Sequence, residues 1–174
     1  MDVLLNLASA FGLSTSAGLN AYIPLLTVAV LSRFTSLIQL EPPWDTLSSW
    51  WIIALLVVLL IIEVLVDKFP VVDSINDVIQ TVIRPTAGAI MFAATTRSGI
   101  QLHPVLAMAF GVILAGGVHV VKSGARPVVS STTAGLGDPV VSTLEDIIAA
   151  VTSFIAVIFP YLLLVWFLLF AVLI

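Results

Sequence analysis

Residues 47–66, LSSWWIIALLVVLLIIEVLV, decide the fold. An α-helix needs about 20 predominantly apolar residues to cross the hydrocarbon core of a bilayer. This run supplies them with a single ionisable group, Glu63. Trp50 and Trp51 suit a membrane interface at one end, and Asp67-Lys68 closes the other. Asp45 or Thr46 is placed to cap the start. The segment predicts a membrane-spanning helix.

The whole chain reads the same way. Its 174 residues are 60% hydrophobic and 9% charged, with a mean hydropathy of +1.22. A soluble domain carries roughly a quarter charged residues. The expected class is therefore all-α: a polytopic α-helical membrane protein, one domain over residues 1–174, with the lipid bilayer as its first partner. A formal charge of −4 on few groups gives no basic face and excludes a nucleic-acid partner. The absence of cysteine excludes disulfides, thiol catalysis and thiolate metal sites. No basic region precedes the first apolar stretch, which is expected to belong to the mature protein.

About five spans are expected. The first apolar stretch, Val3 to Leu31, exceeds the length of one crossing; it reads as a tilted helix or as two half-helices meeting at a break. The second is Leu47 to Val66. Asp73, Asp77, Gln80 and Arg84 then share one helical face opposite Ile75, Val78, Ile79, Val82 and Ile83, which reads as a helix lying along the interface. A short span rich in small residues, Thr86 to Thr96, follows it. Arg97-Ser98-Gly99 turns the chain, and a fourth span runs from His103-Pro104 to Val121. A polar loop, Lys122 to Asp138, leads to a cap at Asp138-Pro139, and Ser142 with Glu145 has capping-box spacing. The last span, Ile147 to about Phe170, is bent by Pro160. With five crossings, Lys68, Arg84, Lys122 and Arg126 share one side, which places the N-terminus inside.

One phrase occurs twice. Ser14-Thr15-Ser16-Ala17-Gly18-Leu19-Asn20 returns as Ser131-Thr132-Thr133-Ala134-Gly135-Leu136-Gly137, and Pro24 and Pro139 follow the two copies. Polar groups freed by such interruptions must be buried in protein or line a watery cavity. Paired interruptions point to a binding site in a repeat-built carrier. The expectation is an inverted pseudo-repeat with halves of about 1–97 and 98–174, the two breaks converging as re-entrant segments. Close packing of helices through small residues is the plainer alternative.

The ionisable groups inside apolar sequence are few. Glu63 and Asp67 are four apart, and His119 and Lys122 three apart, each pair on one helical face. Such groups inside a span are candidates for function, here proton coupling, or for a buried ion pair of Glu63 with Lys122, Arg126 or Arg84. For His119 the alternative is a neutral imidazole bridging helices; for Asp67 and Lys68 it is solvation at the interface. The stretch Lys122–Pro127 with the hydroxyls that follow is dense in donors and suits an anion or a lipid headgroup. Two distant histidines give no metal constellation, and no serine sits in a nucleophile elbow. No catalytic residue, metal or cofactor is expected.

Three segments together, Gly18-Leu19-Asn20-Ala21-Tyr22-Ile23-Pro24, Glu63 with Asp67-Lys68, Pro70 and Asp73, and Lys122-Ser123-Gly124-Ala125-Arg126-Pro127 with its Ser/Thr-Ala-Gly run, resemble a bacterial membrane family defined as domain of unknown function 4126. The resemblance covers most of the chain and implies a compact membrane domain, in a bacterial inner membrane. There is also a chemical likeness to undecaprenyl-pyrophosphate phosphatases, but the paired glutamates and the Ser-Arg-Ser-Gly phrase of those enzymes are missing.

The leading functional expectation is a small transporter or channel-like carrier for a small or anionic solute, working as a homo-oligomer. Its site would comprise Ser14, Ser16, Gly18, Asn20, Tyr22, Ser131, Thr133, Gly135, Lys122 and Arg126, with Glu63, Asp67 or His119 handling a proton. A membrane-embedded enzyme or binding protein for a phosphorylated lipid, and a structural subunit of a membrane complex, are the alternatives.

Overall fold

The computed structural model describes residues 2–67, 70–97 and 102–165, and among these every regular element is a helix. The order is α1 (Asp2–Leu19), α2 (Tyr22–Phe34), a 3-10 turn (Trp44–Ser48), α3 (Trp50–Val66), α4 (Pro70–Arg97), α5 (Pro104–Thr133) and α6 (Asp138–Ile158). Residues 160–165 resume helix beyond a break at Phe159. Val78–Thr96, Pro104–Thr133 and Asp138–Ile158 are each long and apolar enough to cross a membrane. The chain is a membrane protein built from helices.

α1 is the centre of the bundle and packs on α2, α4, α5 and α6. Its sequence allows this because it is lined with small side chains: Ala8, Ala10, Ser14, Ser16 and Ala17 are all buried. A Cβ at Gly18 would lie 2.6 Å from the Ala115 carbonyl oxygen and from Val118 Cβ, so α5 can approach here only because residue 18 has no side chain. α4 and α5 cross in the same way, where a Cβ on Gly88 would lie 2.6 Å from the Gly111 carbonyl oxygen. Backbones that meet this closely gain dispersion contacts without a hydrophobic drive, which lipid does not provide between helices.

Contacts along the helices fix their directions. Phe11 meets Phe92, Ser14 bonds the Gly88 carbonyl, and Arg84 reaches His119, so α1 and α5 run one way and α4 the other. Ser16 bonds Ala149 and Ser153, while Gly12 faces Ala156, so α6 runs with α4. Asn20 reverses the chain between α1 and α2. Its Oδ1 accepts from the Tyr22 and Ile23 amides (3.0 and 3.2 Å), which is how Asn caps a helix N-terminus. At the other end of α2, Arg33 donates to the Ser48 carbonyl at 2.7 Å and lies over the Trp50 ring at 4.4 Å. Direction thus alternates through all six helices, and of the two readings of the first apolar stretch the structure has the second, two helices meeting at Asn20.

Polarity across the bundle is inside-out. Gln80 and Arg84 of α4 are buried, whereas Val78 and Val82 are 71% and 70% exposed. Such a helix does not lie along an interface, as the spacing suggested; its polar face is inside and its apolar face outward. α4 is also continuous through Pro85, so the interfacial helix and the short third span are one element. α5 likewise continues through Pro127 to Thr133, and the expected polar loop from Lys122 is helix. There the hydroxyls turn back onto the helix: Ser131 donates to the Val128 carbonyl and Thr133 to that of Val129. The helix stops at Ala134 and Gly135, both with positive φ (52° and 81°).

The caps also differ from expectation. Ser49, not Asp45 or Thr46, accepts from the Ile52 amide at the start of α3. Asp138 is the first residue of α6 and takes the Ser130 hydroxyl at 2.7 Å. Ser142 and Glu145 lie within α6, and both side chains turn to neighbouring helices. Lys68, the Asp73 and Asp77 side chains, the turn at 98–101 and the span beyond 165 lie outside the described residues.

Candidate functional site

Among the described residues, the end of the bundle at which α1, α3 and α5 finish and α2, α4 and α6 begin gathers nearly all the buried charge. It assembles from one residue type per need. α1 ends with carbonyls that have no helical partner, and Lys122 of α5 meets that need by donating Nζ to the Leu19 carbonyl at 3.0 Å. The same ammonium is 2.8 Å from Glu145 Oε2 of α6. Arg126, one turn further along α5, stands between two carboxylates, with Nη2 3.6 Å from Glu145 and 3.7 Å from Asp67. Asp67 also accepts from the Ser142 hydroxyl at 2.7 Å and from the Asn76 amide at 3.1 Å. It is 3% exposed, so it is not the solvated interface residue its position suggested. Asn20 Nδ2 donates to Asp146 at 2.8 Å, which ties the α1–α2 reversal into the same cluster.

Deeper in, Arg84 is fully buried and joins three helices. Its Nη2 is 3.1 Å from Glu63 Oε1 on α3, and its Nη1 is 3.1 Å from His119 Nδ1 on α5. A guanidinium can only donate, so Nδ1 is the acceptor and the imidazole proton sits on Nε2. That proton faces Thr81 Oγ1 at 3.1 Å. His119 thereby links α4 and α5. Of the three cations that could have paired with Glu63, Arg84 is the one in contact.

The inner part of this network is not closed. Glu63 Oε2, Gln80 Oε1 and Arg84 Nε are buried without a hydrogen-bond partner among the described residues. Tyr22 stands beside Gln80 and lies within the field of Glu63 and Arg84. Among the described residues three cations, Arg84, Lys122 and Arg126, face four carboxylates, Glu63, Asp67, Glu145 and Asp146. A groove of about 330 Å³ beside Lys122 and Glu145, lined by Leu19, Gly117 and Val121, opens next to it.

The expected site residues divide cleanly. Glu63, Asp67, His119, Lys122, Arg126, Asn20 and Tyr22 come together in or beside the network. Ser14 and Ser16 do not; they are interhelical staples to the Gly88 carbonyl (3.0 Å) and the Ala149 carbonyl (2.8 Å). Gly18 is a packing position. Ser131 and Thr133 are exposed at the tip of α5 with Gly135, about 14 Å beyond Lys122 at 1.5 Å per residue. The two copies of the repeated phrase therefore do not converge. Both are entered from helices running the same way, α1 and α5, whereas inversion would have them enter from opposite directions.

Gln80 was seen only as part of a polar face, and Thr81, Asn76, Ser142, Glu145 and Asp146 were not seen as site residues at all. A signal did exist for α6. Asp138, Ser142 and Glu145 recur at i, i+4 and i+7, one polar face on an otherwise apolar helix. Among the described residues no group of three or more His, Cys, Asp and Glu could hold a metal ion.

No curated protein and no solved structure matches the chain. The family model of the domain of unknown function (DUF4126) matches residues 7–174. With nearly its full length covered, the chain belongs to that family.

Proposed function

We propose that the protein is a small membrane transporter of the channel-like carrier type, in which a proton taken up at Glu63 is the moving or coupled ion. The observation that carries this reading is the set of unpartnered atoms, Glu63 Oε2, Gln80 Oε1 and Arg84 Nε, inside an otherwise paired buried network. A polar network kept only for structure is worth its desolvation when every member is satisfied; a partly satisfied one costs more than an apolar core. Two buried acceptors beside one ion pair, neither with a donor among the described residues, call for a proton. Ionisable groups within membrane helices mark ion and proton routes for the same reason.

The anionic solute loses support. Lys122 and Arg126 already face Glu145 and Asp67, so an anion would compete with carboxylates for both cations. We place the carrier in a bacterial inner membrane. Reconstituted into liposomes loaded with a pH-sensitive dye, the wild-type protein should admit protons under an imposed potassium diffusion potential. Glu63→Gln should reduce the rate to that of empty liposomes. Equal rates for wild type and empty liposomes would dispose of the proton step.

A further inference from the structure

A second polar region lies at the far end of the bundle and shares no residue with the charge network. A pocket of about 340 Å³ is lined there by Asn6 and Ser9 of α1, Gln39 after α2, Thr95 of α4, and Val157 and Pro160 at the α6 break. We propose that this pocket binds a small uncharged solute rich in hydroxyl or amide groups; as the transported molecule's site, it rests on the carrier reading above.

Four features fix the class of ligand. First, among the described residues the lining includes polar side chains from three separate segments and no ionisable one, so it offers hydrogen bonds without selecting a charge. Second, Ser14, Thr15 and Ser16 all commit their hydroxyls to protein groups, whereas Asn6 and Ser9 make no side-chain hydrogen bond to the described residues. Thr95 donates to the Met91 carbonyl at 2.7 Å, which leaves its oxygen to accept. Third, Pro160 in the lining has no amide hydrogen, so the α6 break adds no backbone donor at that position and the wall's donors are side chains. Fourth, the volume equals on the order of ten waters, room for a polyol or small amide and little more.

The floor of the pocket is closed. Leu13 is fully buried beneath it, and past Leu13 the Ser16–Ser153 pair seals α1 against α6. Along α1 from Ser9 to Asn20 is about 16 Å, so solute pocket and proton network stand at the two ends of one helix. α1 is the element through which a change at one would reach the other.

The chain has no cysteine, which makes single-cysteine labelling clean. Ser9→Cys, Thr95→Cys, Ser16→Cys and the lipid-facing Val112→Cys would be exposed in nanodiscs to a membrane-impermeant methanethiosulfonate. Ser9→Cys and Thr95→Cys should react, and Ser16→Cys and Val112→Cys should not. Glycerol at roughly ten times its half-protecting concentration should slow labelling of the first two about tenfold, while ethanolammonium and glycolate at the same concentration should not. Labelling of Ser9→Cys and Thr95→Cys no faster than Ser16→Cys overturns the pocket, and equal protection by the two ions overturns the uncharged class. Protection that survives while proton movement fails leaves the site standing and removes the carrier reading; proton movement without protection does the reverse.

Discussion

Replacing Arg84 by methionine tests whether the centre of the network is a mutual dependence of charges or a set of separate contacts. Arg84 is 0% exposed, and the Glu63 side chain 1%. Arg84→Met removes a 3.1 Å ion pair and the donor to His119 Nδ1, and leaves the Glu63 carboxylate buried without that counter-charge. Breaking one partner of such a pair costs about 3–5 kcal/mol, because a charge is left buried and uncompensated. For a chain of this size each kcal/mol lowers Tm by about 2–4 °C, so the loss should be about 6–20 °C. Glu63→Leu should cost a similar amount, since it strands the guanidinium. Glu63→Leu combined with Arg84→Met strands neither group, and a hydrophobic pair of similar volume in place of a buried ion pair is near neutral or stabilising. Thermal unfolding in detergent, followed through tryptophan fluorescence, should therefore place the double variant within a few degrees of wild type, with a coupling of about 3 kcal/mol or more. Additive losses in the double variant would refute the reasoning. The double variant should also be stable and unable to move protons, which separates the fold's need for the pair from the carrier's.

Three further outcomes follow from the geometry. Gly88→Ala places a Cβ 2.6 Å from the Gly111 carbonyl oxygen and should cost about 1–3 kcal/mol; Gly117→Ala meets nothing within 4 Å and should gain up to about 1 kcal/mol from helix propensity. Opposite signs in Tm are expected, and equal shifts would argue against the close α4–α5 crossing. Asn20→Ala removes the bonds to the Tyr22 and Ile23 amides and to Asp146, and should lower stability by about 1–3 kcal/mol; an unchanged Tm would mean that another group caps α2. Ala134→Gly relieves a non-glycine residue at φ 52° and should raise stability by about 1 kcal/mol, while Gly135→Ala, at φ 81°, should lower it by a similar amount; denaturation of the two variants side by side checks both signs.

Helical membrane character was legible because hydropathy over twenty residues averages away detail, and Leu47–Val66 holds one charge in a full crossing. The break before α2 was legible as one of two readings, but its cause was not, because an asparagine whose side chain caps α2 looks in sequence like any other polar residue. The same capping chemistry, read as an exposed polar break, suggested a solute site instead. Residues 122–133 misled for a related reason. Hydroxyls and two cations read as a loop when they are assumed to face water; here Ser131 and Thr133 bond their own helix, and Lys122 and Arg126 face carboxylates on other helices. Glu63 and His119 stood out as lone ionisable groups between apolar neighbours, yet composition could not choose among three cations for Glu63. That choice is made by the crossing of α4 and α5 at Gly88 and Gly111.

That crossing links the packing of this bundle to its chemistry. Gly88 is one turn beyond Arg84 on α4, and Gly111 is two turns before His119 on α5. Only backbones in near contact at the glycines let a guanidinium on one helix reach an imidazole on the other while its second arm holds Glu63. A wider crossing would let water or lipid reach the pair, and the stabilisation of an ion pair falls as its surroundings become more polar. Small residues at the crossing and charges one to two turns away are therefore a single device. Side chains absent from one place permit side chains at the next to meet without water. On this view a substitution that widens the crossing acts on proton movement as well as on stability, because the network depends on the same close approach that packs the helices.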